Sequence, residues 1–367
     1  MTSPSDTSSS SPPRRAAVVG TGLIGGSIGL ALRRRGWHVT GRDADAELAE
    51  AAVKAGAVDA VGEDPQAEVT FVCTPVGALV DEVERVLSQP DLRAGAVVTD
   101  VGGVKASVVR AVDHPRFVGG HPMAGSEQLG LAGADPELFV GATWVLTPTD
   151  ETDAAAYAVV QSVVGSLGAE VLSLSPEQHD ALVAVVSHVP HLAAATLMNV
   201  AERRSVQHGA LLRLAAGGFR DMTRVAAGQP TIWPDICAEN APAIVAGLDD
   251  LLAALGDVRQ RVAQGDRAAL LDALSRAATA RRSLPARAVR PERLVELRVP
   301  VPDRPGVLAE ITTTAGDLGV NISDLEIAHS AEGPRGVLVL VVDAEGAEMF
   351  AGALSARGYH PLARPLQ

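Results

Sequence analysis

Residues 16–36 read AAVVGTGLIGGSIGLALRRRG. Apolar residues run into a cluster of glycines, and a helical pattern starts directly behind it. Gly20-Thr21-Gly22-Leu23-Ile24-Gly25 spells G-x-G-x-x-G, a weak signal by itself that gains meaning between a strand and a helix. Gly20 permits the tight turn, Gly22 lets a pyrophosphate approach the backbone, and Gly25 packs helix on strand. The helix start at Leu23 and Ile24 offers its N–H groups to phosphate. Asp43 ends the next strand, WHVTGRD (37–43), at about the twenty-residue spacing of a dinucleotide site. Its carboxylate would accept from ribose hydroxyls and repel a 2′-phosphate, which favours NAD over NADP. Arg42 beside it opposes that preference, since an arginine there is able to hold a 2′-phosphate.

Outward from this unit, strands alternate with helices of ten to fifteen residues. The strands are EVTFVCTP (68–75), AVVTDVGG (96–103), RFVGGHP (116–122) and ATWVLTPT (142–149), with a helix over 76–88. A helix near 151–167 and a strand near 169–174 complete a doubly wound parallel sheet over residues 14–174. Ligands of such sheets lie over the carboxyl ends of the strands. Thr74 and Pro75 of CTPV therefore floor the cofactor site, and Gly102 of TDVGGVKAS allows close backbone approach. Lys105 reads equally as an anion contact or a solvated lysine. His121, in GGHPMAGSE (119–127), follows a strand at the same edge. A histidine there suits a general base near neutral pH, as oxidation of a carbinol by hydride transfer requires.

The 367 residues leave room for two or three domains, and 47% hydrophobic content supplies their cores. A net charge of −13 argues against a nucleic-acid or anionic-membrane partner. No apolar run reads as a membrane span, and residues 1–13, rich in Ser, Thr and Pro, read as a disordered tail rather than a signal peptide. Cys73 and Cys237 lie far apart, giving neither a disulfide framework nor a metal site. A cytoplasmic protein is expected.

From about 175 to 283 the period changes to that of helices. SPEQ (175–178) suits a helix start, with Ser175 as N-cap, Pro176 first and Gln178 as the N3 partner. His188 and His191 of SHVPH have no third metal ligand nearby and read as ligand contacts or caps. In GGFRDMTR (217–224), Asp221 at i,i+3 would orient Arg224 towards a substrate carboxylate. Such an alanine-rich helical region is expected to pair two subunits. Residues 284–293 read as a linker. The last segment, 294–367, reads β-α-β-β-α-β, a ferredoxin-like unit.

GTGLIGGS, CTPV, DVGGVK, GGHPMAGSE, SPEQHD, SHVPH, GGFRDMTR and IWPDI–AEN stand in an order that resembles prephenate dehydrogenases, the tyrosine-pathway family that includes arogenate dehydrogenases. The resemblance covers residues 15–285. It implies a Rossmann-like domain, a helical dimerisation domain and NAD-dependent oxidative decarboxylation of prephenate to 4-hydroxyphenylpyruvate, or the arogenate reaction that yields tyrosine directly. It makes His121 the group that deprotonates the substrate C4 hydroxyl and Arg224 the anchor of a carboxylate. Ser187, His188, His191 and Trp233 fall at pocket positions, and Ser126 and Glu127 near the mouth. The family commonly carries serine where this chain has Gly103. VPDRPGVLAEI (300–310) and GVNISDLEI (319–327) resemble an ACT domain, with Asp303, Gly306 and Asn321 as candidates to bind tyrosine as an effector. Two further readings are a 3-hydroxyacid dehydrogenase, which GGHPMAG and GGFRDMTR oppose, and a silent NAD- and amino-acid-binding regulator.

Overall fold

The computed structural model describes residues 12–284, 294–329 and 335–365, apart from 127, 129, 207 and 303. Most of the expected tail and linker, with Glu127 and Asp303, lies outside those residues. The chain divides into two compact units near residue 280.

The first unit is built on an eight-stranded sheet. Its strands are β1 (Arg15–Val19), β2 (His38–Arg42), β3 (Ala60–Val61), β4 (Val69–Val72), β5 (Val97–Asp100), β6 (Phe117–Pro122), β7 (Thr143–Thr147) and β8 (Glu170–Ser173). They lie in the order β3-β2-β1-β4-β5-β6-β7-β8, with the switch in direction between β1 and β4. The connecting helices are α1 (Leu23–Arg33), α2 (Ala46–Lys54), α3 (Val76–Leu87), α4 (Ala106–Val112) and α5 (Ala154–Ser166). Ile28 and Leu32 of α1 share one apolar core with Val160 and Val164 of α5. Leu79 and Val83 of α3 share a second with Val108 and Val109 of α4. Central strands such as β1 and β4, buried along nearly their whole length, are accordingly near-continuous apolar runs rather than alternating patterns.

The expectation of an all-parallel sheet fails at one place. β7 runs antiparallel to β6, while β8 is parallel to β7. Among the described residues, the stretch between β6 and β7 holds a 3₁₀ turn, Gly130–Gly133, and no α-helix to carry the chain back across the sheet.

The helical region follows with α6 (Pro176–Val183), α7 (Val189–Ser205), α8 (Gly217–Thr223), α9 (Trp233–Glu239), α10 (Ala241–Gln264) and α11 (Arg267–Arg282). The expected start is present: Ser175 Oγ accepts from Gln178 N at 3.2 Å, and Gln178 Oε1 accepts from Ser175 N at 3.3 Å. Helices α6 and α7 are continuous through a π-helical turn at Ala184–His188. Pro190 lacks the N–H an unbroken α-helix would need, and the wider turn absorbs that loss. One sequence expectation is corrected here. Pro176–Ser205 is long and apolar enough, by length and composition, to cross a membrane. It nevertheless buries His179, Asp180 and His188 and packs against α4 and α10.

The second unit contains β9 (Leu294–Pro302), α12 (Val307–Asp317), β10 (Ile322–His329), β11 (Arg335–Asp343), α13 (Ala344–Ala356) and β12 (Leu362–Pro365). Its antiparallel sheet has the order β10-β11-β9-β12. Leu297 and Val299 of β9, with Leu338 and Leu340 of β11, pack against Ile311 of α12 and Phe350 of α13. This is the ferredoxin-like arrangement that the element order implies.

Candidate active site

The glycine turn fits a dinucleotide for steric reasons. A Cβ on Gly20 would stand 2.6 Å from Cys73 O, and the residue has φ +93°. A Cβ on Gly25 would lie 1.9 Å from Gly20 O, whereas above Gly22, the N-cap of α1, nothing lies within 4 Å. The turn is thus clamped from below and open above, at the start of α1 where Leu23 and Ile24 begin the helix. Asp43 Oδ2 accepts from Thr21 N at 2.7 Å and Thr21 Oγ1 at 3.1 Å, which holds the carboxylate against this turn.

Adjacent strand residues face opposite sides, and Arg42 points away from Asp43. Its guanidinium binds Glu82 of α3 and stands 3.7 Å from Glu63. Arg85 joins both carboxylates, and these two arginines hold Glu82 below the usual carboxylate range against the opposing effect of burial. The charge of Arg42 is committed there, not to a 2′-phosphate.

Thr74 Oγ1 is buried with no hydrogen-bond partner among the described residues, and Pro75 is the N-cap of α3. Asp235 of α9 reaches the first turn of α3, where its Oδ2 would be 3.1 Å from a Cβ on Gly77. Gly102 is required by packing, since its Cβ would meet Leu79 Cδ1 at 2.4 Å.

Lys105 is neither solvated nor open to an anion. Its side chain is fully buried and binds Asp100, the last residue of β5. Burial pulls the lysine pKa down, and Asp100 and Asp180 oppose that shift. Asp100 also accepts from Gly102 N at 2.8 Å and Gly120 N at 3.1 Å. One carboxylate therefore ties the loop after β5 to the residue preceding His121.

His121 stands near the end of β6. Its Nδ1 lies 2.9 Å from His179 Nε2, and His179 Nδ1 lies 2.8 Å from Asp180 Oδ1. The opposite edge of the ring faces Gly103, where a Cβ would be 3.8 Å from Cε1 and Nε2. Burial pushes the His121 pKa well below 6.5, and His179, Lys105 and His188 push it the same way. Sequence reasoning missed His179 and Asp180 as individual residues. The signal was two adjacent titratable groups on an apolar helix whose start was already legible.

The remaining pocket candidates gather in the helical region. His191 stacks on Trp233 with centroids 3.7 Å apart and 16° between planes, and His188 meets the same ring edge-on at 6.1 Å. Asn240 Nδ2 donates to Asp180 O at 2.9 Å and stands 3.3 Å from His188 Nδ1. Burial lowers the His188 and His191 pKa values. Ser187 lies in the π turn, partly buried. Arg224 is exposed at the start of a 3₁₀ turn packed on α7, and Gly228 just beyond that turn would put a Cβ 3.7 Å from His191 Cε1. Ser126 is exposed, and its Oγ accepts from Gln128 N at 3.1 Å. In the second unit, Gly306 caps α12 with φ +90°, and Asn321 is exposed just beyond the other end of that helix.

Family comparisons agree with this architecture. Residues 28–173 match the prephenate dehydrogenase nucleotide-binding domain, 175–276 its dimerization domain and 295–357 the ACT domain. The prephenate dehydrogenase of Bacillus subtilis is 34% identical over 336 residues, covering 88% of this chain and 90% of that protein. A cyclohexadienyl dehydrogenase of Zymomonas mobilis is 32% identical, covering 74% of this chain and 96% of its own. Among solved structures, the A. aeolicus prephenate dehydrogenase in complex with hydroxyphenyl propionate and NAD+ has a TM-score of 0.69 at 30% identity. It covers 74% of this chain and 98% of its own. The Synechocystis arogenate dehydrogenase has a TM-score of 0.64 at 33% identity, with 73% and 98% covered. With its nucleotide-binding, helical and ACT parts in this order, the chain belongs to the prephenate dehydrogenase family of NAD-dependent oxidoreductases.

Proposed function

We propose that His121 is the base in the NAD-dependent oxidative decarboxylation of prephenate to 4-hydroxyphenylpyruvate. The observation that carries this reading is the orientation of its ring. Nδ1 is engaged by His179, and the Nε2 edge faces the glycine loop at the carboxyl end of β5. A base there takes the C4 hydroxyl proton as hydride departs from C4. NAD supplies the hydride acceptor. Loss of CO2 then restores an aromatic ring, so the protein chiefly has to orient the ring and hold its carboxylates.

Arg224 is the carboxylate anchor in this reading, supported by its exposed place in the 3₁₀ turn that packs on α7 and leads to Gly228 near His191. His188, His191, Ser187 and Trp233 shape the pocket, with Ser126 and Glu127 at its mouth. Asp43, Thr74, Pro75, Gly102 and the glycine turn hold NAD. His121→Asn should lower kcat by about 10²- to 10⁴-fold with NADH binding retained. Full activity of that variant would remove His121 from the chemistry. Assay with prephenate and arogenate side by side decides the preferred substrate, and turnover of neither would defeat the reading.

The working form is proposed to be a cytoplasmic homodimer. Of the 24 residues of α10 only Ile244 is buried, and Leu252, Leu255 and Val262 are exposed on it. Sedimentation as a monomer at micromolar concentration would reject the dimer. Tyrosine is the proposed effector of the ACT unit. Gly306 and Asn321 flank the 11 residues of α12, about 16 Å of helix, so a site using both needs two copies. Tyrosine inhibition that survives deletion of residues 292–367 would refute that placement.

A further inference from the structure

The His121–His179 contact has a direction that hydrogen-bond chemistry determines. Asp180 Oδ1 accepts from Lys105 N at 2.8 Å and Oδ2 from Ala106 N at 2.9 Å, both at the start of α4. Those bonds, with the one to His179, hold the Asp180 carboxyl below its usual range despite burial. It is therefore an ionised group that only accepts. The hydrogen on the His179 ring must lie on Nδ1, 2.8 Å from Asp180 Oδ1. With one proton on each ring, His179 Nε2 is a bare acceptor, and the His121 hydrogen must lie on Nδ1 to fill the 2.9 Å contact. That leaves His121 Nε2 unprotonated on the edge that faces Gly103.

The geometry points to His179 as a positioning residue that fixes His121 in its basic tautomer and receives the Nδ1 proton during the reaction. This inference rests on the reading of His121 as the base. As the substrate O–H bond breaks, a bond forms from that hydrogen to His121 Nε2. The His121 Nδ1–H bond breaks in turn, and its hydrogen bonds to His179 Nε2. The substrate O–H electrons enter the new C=O bond, and the positive charge ends on His179, 2.8 Å from the Asp180 carboxylate.

Electrostatics favour that final location. His188 opposes charge on either ring, but charge left on His121 would also face the buried Lys105 ammonium, whereas charge on His179 is paired with Asp180. The titratable groups around the relay are Lys105 at α4, Asp100 of β5, which already binds Lys105, His188 of the π turn, and Asp180 itself. The anchors come from two parts of the chain, since His179 and Asp180 ride on α6 while their fixed partners belong to β6 and α4.

Two substitutions in the whole chain keep the orientation of His121 while removing the second proton transfer. In His179→Gln, the amide oxygen still accepts from His121 Nδ1 but takes no proton. In Asp180→Asn, an oxygen at the Oδ1 position still accepts from Lys105 N and His179 Nδ1, but the charge that would pair with a protonated His179 is gone. Both rings keep their tautomers, and the second proton transfer loses its driving charge. Both variants are expected to lower kcat by about 10²-fold with KM for prephenate unchanged.

Nitrogen-15 spectra of histidine-labelled enzyme without substrate should show His121 protonated at Nδ1 in wild type and in both variants. Rates in mixed H2O and D2O should respond as two moving protons in wild type and one in His179→Gln. NADH binding monitors folding of each variant. Wild-type His121 protonated at Nε2, or a His179→Gln enzyme with unchanged kcat, would overturn the inference. The substrate-free spectra test it even where prephenate turnover fails and the reading of His121 falls.

Discussion

The Cβ that Gly103 lacks would stand 3.8 Å from both Cε1 and Nε2 of His121, an ordinary van der Waals distance. The glycine therefore leaves open a space that a small side chain fills without displacing the base. Gly103→Ser should fold normally, gain up to about 1 kcal/mol by restricting the unfolded chain, and retain or modestly raise kcat. Urea unfolding and steady-state kinetics check both parts. A tenfold loss of kcat would mean that the open space itself is needed.

Arg42 and Asp43 are neighbours in sequence with opposite destinations, and their substitutions should differ accordingly. Asp43→Asn removes the charge that repels a 2′-phosphate and should raise the NADP-to-NAD ratio of kcat/KM by about tenfold or more, equivalent to about 1.4 kcal/mol. Arg42→Ala should leave that ratio unchanged, because its charge is spent on Glu82 and Glu63. A large fall in NADP use by Arg42→Ala would contradict this assignment.

The buried pair of Lys105 and Asp100 should be costly to break from one side. Lys105→Met leaves a carboxylate in the interior and is expected to destabilise by about 3–5 kcal/mol. Asp100→Asn in the same chain should restore part of that loss, because it removes the uncompensated charge, although its single amide oxygen serves only one of Gly102 N and Gly120 N. Additive losses in the double variant would show that the two groups act independently.

Stability should fall as pH drops through 6.5. His121, His188 and His191 all have folded pKa values below that unfolded reference. In this window the unfolded chain binds protons that the folded chain refuses, so unfolding free energy rises with pH and levels off above 6.5. Asp180 adds a loss at lower pH, its stabilisation disappearing as pH falls from 3.8 through its depressed folded value. Urea midpoints across about pH 5 to 8 test the histidine part. The acid limb of kcat should likewise lie below 6.5, and constant stability below that pH would exclude the effect.

Much of this was legible because it is local. The glycine turn, the strand-to-helix alternation and the Ser175 capping box follow from residues within a few positions of one another. So did the candidate base, since a histidine ending a parallel strand is a statement about one loop. Destinations of side chains were not legible. The partner of His121 lies 58 residues away and that of Arg42 lies 40 away, and no periodicity records such meetings. Lys105 misled because a charged residue at a helix start is usually solvated, whereas here Asp100, five residues earlier, accompanies it into the core. The direction of β7 was misread for a related reason, since strand patterns do not encode polarity when the crossover helix is missing.

The capping of α4 by Asp180 bears on how separable the parts of this enzyme are. The nucleotide-binding half does not finish its own helix. The N–H groups of Lys105 and Ala106 find their acceptor on α6, beyond the last strand of the sheet. A fragment ending at residue 174 would keep the glycine turn and Asp43 but lose that acceptor beside its base. Gene fusions or domain exchanges at this boundary should thus preserve cofactor affinity and forfeit catalysis, because the boundary drawn by sequence similarity cuts through a single working part.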